Sequence, residues 1–428
     1  MKKFLMLAAS TLLLFSCQNE DVADSSFNLQ SAGADYSGYP ATVQTVSGNI
    51  NSNTTWTSDK VWEISGVVRV RNGATLTIEP GTFIKAKPLG EGIATGVLVI
   101  TKNGKINAQG TAQNPIVFTS YNLLDGSAGT TATSGDFGGV VLLGDAEVNN
   151  GLSTNVVEGL GDQNPLSDFY FGGSNNLHDA GDMSYVRIEF AGRILSDGVE
   201  INGLTFGGVG NGTNINHIQV SYGKDDSYEF FGGTVSPTHL VSFAADDDNF
   251  DFDLGYTGSL TKAIAIADKY STHSQSGGNP DSNGIELDNN ANGSSTTIIT
   301  RPVISDLSII GVSAATDGGL YENAIHVRRR GEIDLTNVTV TGYNTGIKWD
   351  SPSVSSNSVW SNFSAHGFVT PATSSLGFGN PTSTSNPAQA WGLTQPFFNN
   401  SGFNLSGNTG AFATESGWAN GWTKFSGF

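Results

Sequence analysis

The sequence predicts an all-β chain wound as a right-handed parallel β-helix, and three observations predict it. First, apolar residues return with a step of 22: Leu76 and Leu98, Ile78 and Ile100, Ile84 and Ile106, Phe118 and Val140. A coil of three short strands and three turns has this kind of repeat, and such coils stack roughly 4.8 Å apart. Second, 55 glycines accompany abundant Ser, Thr and Asn, with no sustained helical period. That composition suits many short strands joined by turns. Third, one five-residue pattern recurs: Asp or Asn, any residue, apolar, polar, apolar.

The chain opens on an export pattern. Lys2 and Lys3 precede an apolar run from Leu5 to Phe15, which is too short to hold a bilayer as a span. Leu14-Phe15-Ser16-Cys17 resembles the lipobox of bacterial lipoproteins. The resemblance implies a signal peptide over residues 1–16, cut before Cys17, whose sulfur and new N-terminus are then acylated. Each buried acyl CH₂ contributes about 0.8 kcal/mol to membrane attachment. Gln18-Asn19-Glu20-Asp21 resembles the acidic export signal of Bacteroidota lipoproteins, which implies the outer face of the outer membrane. Residues 17–42 are rich in Ser, Asp, Ala and Gly, without apolar periodicity, and read as a lipidated flexible tether.

Bulk properties exclude several classes. Removing Lys2 and Lys3 takes the 20 basic side chains to 18 against 39 acidic ones, a formal charge of −21. Such a surface repels nucleic acid. Cys17 is the only cysteine, so disulfides do not hold the fold. No second apolar run of about 20 residues exists, which argues against a helical transporter or channel.

Residues 43–350 are assigned to the β-helix. Residues 43–65, with Trp56 and Trp62, are expected to begin the first coil and cover its open end. The five-residue pattern appears at Asp197-Gly198-Val199-Glu200-Ile201, Asp226-Ser227-Tyr228-Glu229-Phe230 and Asp248-Asn249-Phe250-Asp251-Phe252. It continues at Asn283-Gly284-Ile285-Glu286-Leu287 and Asn323-Ala324-Ile325-His326-Val327, with a degenerate copy at Thr345-Gly346-Ile347-Lys348-Trp349. Its central residues are 29, 22, 35, 40 and 22 apart, so the longer steps imply inserted loops. Companion strands are expected at 185–190, 215–220, 239–243, 262–266, 303–310 and 333–340.

These residues reach a recognisable group. Trp56-x-x-Asp59-Lys60-Val61-Trp62 leads into Gly73-Ala74-Thr75-Leu76-Thr77-Ile78-Glu79-Pro80-Gly81-Thr82. Asn114-Pro115-Ile116-Val117-Phe118, Tyr185-Val186-Arg187-Ile188-Glu189-Phe190-Ala191-Gly192 and Asp226-Ser227-Tyr228-Glu229-Phe230-Phe231-Gly232-Gly233 follow in order. Together they resemble surface lipoproteins of Bacteroidota with a pectin-lyase-like right-handed β-helix. The resemblance implies a fold and says little about activity. Residues 351–428 depart from the repeat and read as an aromatic-rich C-terminal cap packed on the solenoid, with Trp360, Trp391, Phe397, Phe398, Trp418, Trp422 and Phe425.

Stacked copies of the pattern would place Glu200, Glu229, Asp251 and Glu286 in one outward column, continued by His326 and Lys348. Carboxylates about 5 Å apart disfavour full ionisation unless a cation, a base or water compensates. The column is thus solvated, or holds Ca²⁺, or contains a catalytic pair. The Ca²⁺ candidates are Asp226, Asp246, Asp247, Asp248, Asp251 and Asp253, because hard cations favour clustered oxygen ligands on turns. The candidates for catalysis are Glu229, Asp248 and Asp251, as the paired carboxylates of a glycoside hydrolase. Arg328, Arg329, Arg330 or Lys348 would be the base of a lyase. His217, His239 and His326 read as ladder residues rather than metal ligands. The expectation is a non-catalytic outer-membrane surface lipoprotein whose β-helix presents a face to a glycan or protein partner. The alternatives are a polysaccharide lyase or hydrolase, and an accessory subunit of an outer-membrane transport complex.

Overall fold

A computed structural model of the chain describes Tyr36 and residues 38–87, 96–127, 129–192, 201–268, 275–276, 279–312, 321–373, 382–383 and 410–425. Cys17, the signal segment and most of the tether lie outside these residues. Among the described residues no helix is long and apolar enough to cross a membrane.

The chain winds through three stacks of parallel strands, one strand per stack in each turn. The first stack runs from Val67–Val70 through Val97–Ile100, Val140–Leu143 and Leu204–Gly207 to Tyr228–Phe231. It continues through Phe250–Asp253, Ile285–Leu287 and Ile325–Val327 to Ile347–Trp349. The second stack begins at Thr54–Trp56, pairs with Leu76–Ile78, and passes through Ile106–Ala108 and Gly181–Met183. The third begins at Val43–Ser47 and rises through Val61–Ile64, Phe83–Lys85, Val117–Phe118 and Val186–Ile188. Parallel pairing throughout is consistent with the right-handed winding that parallel crossovers favour.

The reason for this architecture lies in the alternation of each strand. In the Phe250–Asp253 strand, Phe250 and Phe252 are buried while Asp251 and Asp253 turn the other way. Inward aromatics of successive coils stack directly: Phe206 on Phe230 at 4.8 Å and Phe230 on Phe252 at 4.9 Å between ring centroids. Tyr228 and Phe250 do the same at 5.3 Å. Stacked rings at this spacing add to the burial of their surface. Trp56 and Trp62 stack at 5.4 Å near the N-terminal end, as expected of an end cover.

The pairing corrects several expectations of detail. The step of 22 is real between Trp56 and Ile78, Tyr228 and Phe250, and Ile325 and Ile347. It does not join Leu76 to Leu98: Leu76 pairs with Ile106, and Leu98 lies in the first stack between Val68 and Val140. Ile84 pairs with Phe118, and Phe118 and Val140 belong to different stacks. Three apolar strands per coil let a fixed offset connect the wrong faces. The rung before Glu229 is likewise Thr205, not Glu200. Residues 197–200 lie outside the described residues, and Ile201 is buried.

The C-terminal boundary also moves. Val359–Ala372 is a further solenoid strand, in register with Asp334–Trp349. The segment 410–425 runs back along the solenoid, from Asn337, whose carbonyl accepts from Gly410 N, to Gln219, which bonds Lys424. Trp391, Phe397 and Phe398 lie outside the described residues. Tyr36, within the span read as tether, is buried and donates to Glu189 at 2.7 Å.

Two side clusters flank the central core. Residues 144–180 leave the first stack as an insertion, with Asn155–Val156 pairing antiparallel to Tyr170–Phe171. Val148, Val157, Leu160, Phe169 and Phe171 of this insertion cover the outward Val97, Val99, Val141 and Leu143. On the third stack, Leu123, Leu124, Ala132, Trp418 and Trp422 cover Val117, Val241 and Ile264.

Candidate functional site

Parallel register aligns one outward column on the first stack: Arg69, Val99, Val141, Thr205, Glu229, Asp251, Glu286, His326 and Lys348. From Glu229 onward it follows the order expected from the repeats. Turns leading into these strands add Asp225, Asp226, Asp246, Asp247 and Asp248.

Two groups of carboxylates converge. Oxygens of Asp226, Glu229 and Asp251 lie within 4.8 Å of one another, and so do those of Asp225, Asp226 and Asp247. Asp226 belongs to both. Glu229 and Asp226 are buried, at 5% and 7% exposure, so these charges meet little water. Asp251 is part-buried, and its Oδ1 is enclosed without a hydrogen-bond partner.

Some of the carboxylates serve the backbone. Asp226 Oδ1 accepts from the Asp248 N–H at 2.9 Å, and Asp248 accepts from the Asn283 N–H. Each acid thereby pins the turn of the next coil. Asn202 joins the group from the preceding coil: its Oδ1 accepts from the Asp226 N–H at 3.2 Å and its amide donates to Glu229. Asp246 faces Lys224 Nζ at 2.9 Å and Asp253 accepts from the Leu254 N–H, and neither belongs to a converging group.

Basic side chains enter on the far side. Arg328 pairs with Glu286 and, through Nε at 2.9 Å, with Asp288. Arg329 pairs with Asp288, whereas Arg330 donates to the Gly293 carbonyl instead. Lys348 lies 3.2 Å from Asp350 and 3.6 Å from Glu322. His326 shares Asp350 through Nε2 at 2.8 Å.

The electrostatic consequence is uniform in direction. Burial, and then the charges of neighbouring acids, push Asp226, Glu229, Asp248 and Asp251 well above the ordinary carboxylate range. Burial raises Asp253 to about 7, and Glu286 to about 8 despite the opposing pull of Arg328. Such a cluster retains protons at neutral pH or accepts a cation. The enclosed Oδ1 of Asp251 beside two converging carboxylates fits a hard cation, which prefers several oxygen ligands.

Among the residues anticipated from sequence, the structure thus brings Asp226 and Asp251 together with Glu229, sets Asp247 with Asp225 and Asp226 in the adjoining group, and leaves Asp246, Asp248 and Asp253 on other partners. Asn202 and Asp288 had no signal in the repeat, because neither occupies its polar position. Glu229 and Asp251 are column neighbours; Asp248 is committed to the Asn283 backbone.

No curated protein matches the chain. One solved structure overlaps it loosely, the full-length tailspike protein 2 of the Escherichia coli O157:H7 bacteriophage CAB120, at 13% identity and a TM-score of 0.28. The overlap covers 77% of this chain and 39% of the tailspike. A family profile described as a pectate-lyase-like beta helix domain matches residues 48–423, nearly the whole span in which parallel coils are seen. With that match and the three parallel stacks, the chain belongs to the pectate-lyase-like β-helix domain family.

Proposed function

We propose that this protein is a non-catalytic surface lipoprotein whose β-helix is locked by a bound cation and presents a binding face to a glycan or protein partner. Ca²⁺ is the cation that an all-oxygen group suits best. The observation that carries the reading is the convergence of Asp226, Glu229 and Asp251 with an enclosed, unpartnered oxygen on Asp251. Asp226 and Glu229 are nearly closed to solvent, which favours a structural ion over a cleft for a polymer chain. The export pattern and Cys17 support attachment to the outer membrane by acyl chains, facing outward. The net charge of −19 supports no role with nucleic acid.

A second reading, a polysaccharide lyase or hydrolase, is favoured by Glu286 beside Arg328 and by Asp253, which titrates near neutrality. General acids work best near the operating pH. Incubating the purified protein with a polysaccharide panel separates the two. The binding reading expects retention on one or more glycans or outer-membrane partners without new reducing or unsaturated ends. Product formation abolished by Asp251→Asn, with the fold intact, would overturn it. A Cys17→Ala variant is expected to leave the membrane fraction; retention there would remove the lipid anchor from the account.

A further inference from the structure

A second column has its own chemistry, on the corner between the second and third stacks. There Tyr185, His217, His239, Lys262, Asp306, Asn337 and Asn362 all hold a left-handed backbone, with φ between 49° and 59°. Non-glycine residues seldom adopt it, with Asn, Asp and His the most tolerant. The repetition therefore reflects a turn imposed by the solenoid. Within this column the rings stack face to face: Tyr185 on His217 at 4.4 Å, and His217 on His239 at 4.2 Å.

The segment 410–425 lies over this column. Trp422 meets Tyr185 and His217 edge-on at 6.0 and 5.7 Å, and Trp418 meets His239 at 5.2 Å. Both indoles are buried. Polar contacts fix the ends. Ala411 N donates to Ser308 Oγ at 2.9 Å and Thr414 donates to Asp306. The Gln219 side chain bonds both the N–H and the carbonyl of Lys424, at 2.8 and 2.6 Å.

The charges around the histidines are unbalanced. Glu415 lies 3.4 Å from His239 and 3.8 Å from Lys262, and it is half exposed. Lys262 is the next residue of the column. Nearby, Arg187 and Glu189 pair with each other at 3.0 Å, Tyr36 donates to Glu189, and Lys424 lies over the Tyr36 ring. One carboxylate therefore faces three groups that are cationic when both imidazoles are protonated.

We propose that residues 410–425 form an acid-released latch, in which protonation of the stacked His217 and His239 sets two cations side by side against Lys262 and expels the strap. Burial holds His217 down to about 4, and His239 also lies below the ordinary imidazole value. Both imidazoles bind protons more weakly than an ordinary imidazole, and Trp422 and Trp418 of the strap pack against the buried rings. Docking is thus complete above about pH 6.5 and weakens as pH falls from there toward 4.

Hydrogen exchange on the whole protein tests this, with rates corrected for the intrinsic effect of pH. Between pH 7.5 and 4.5, protection of the Ala411 and Lys424 amides is expected to fall on the order of 50-fold. Protection of the Leu240–Phe243 core strand should hold. The double variant His217→Asn/His239→Asn should flatten the pH response, since Asn already occupies this turn at Asn337 and Asn362. Should that variant not fold, Glu415→Gln removes the compensating charge and should move release to higher pH. Strap protection independent of pH, loss together with the core strand, a response surviving the double substitution, or an unmoved midpoint in Glu415→Gln would each overturn the latch.

Discussion

Val99 and Val141 stand in the same outward column as Glu229, Asp251 and Glu286, on the same backbone geometry, yet the two regions do opposite things. The valines are sealed beneath Val148, Phe169 and Phe171 of the 144–180 insertion. The acids crowd together and are held by backbone N–H groups, Asn202 and Arg328. A solenoid gives every coil the same exit vector, so the identity of one outward residue decides between a docking face and an ionic site. Thr205 marks the boundary between the two regions.

The comparison breaks most sharply where a charge is moved into the apolar half. Val141→Asp would bury an unpaired carboxylate under the insertion, at a cost of roughly 3–5 kcal/mol. A urea unfolding midpoint near wild type would show that the insertion is not a sealed layer. In the acidic half, Ca²⁺ at a hundredfold excess over its dissociation constant should stabilise the fold by about 2.7 kcal/mol, read as a thermal shift reversed by EGTA. Asp226→Asn/Asp251→Asn should erase that shift while leaving the metal-free melt in place or raised.

The pH response sharpens the contrast further. Without metal, Glu286 titrates near 8 in the fold against an ordinary value of 4.5. Its folded form binds the proton more tightly, so that contribution is whole below about 4.5 and is lost as pH rises through 8. Between about pH 7.5 and 8.5, above the range in which an ordinary imidazole titrates, stability in EGTA should fall with rising pH. Ca²⁺ should flatten or reverse that slope, because it favours ionised oxygens; identical slopes with and without Ca²⁺ would count against the site. The smallest effect belongs to the exposed end of the column. Lys348→Ala loses ion pairs to half-exposed Glu322 and Asp350 and should shift stability by less than about 1 kcal/mol.

Much of this was legible in the chain. The Asp226, Asp248, Asn283 and Asn323 repeats placed Glu229, Asp251, Glu286 and His326 in one column, because each repeat carries its turn residue and its inward pair together. The companion strand at Val303–Ile310 was placed to the residue. The rung at Leu204–Gly207 has no signal in the repeat because Thr205 carries no charge, while a copy of the pattern stands just upstream. The N-terminal pairings are not legible in the sequence because insertions of unequal length interrupt a coil whose three faces are all apolar. Contacts such as Arg328 with Asp288, 40 residues apart, depend on two loop lengths at once, and local pattern does not report that. The aromatic content of the C-terminal region was plain, but its return to His217 and His239 was not. That path is set by a column of left-handed turns, which have no single residue signature.

The most direct test of the central claim is calorimetric titration of Ca²⁺ into metal-stripped protein, run beside Asp226→Asn/Asp251→Asn. The account predicts saturable binding to the wild type and none to the variant. Heat no greater than dilution in the wild type, with a melt indifferent to EGTA, would contradict it.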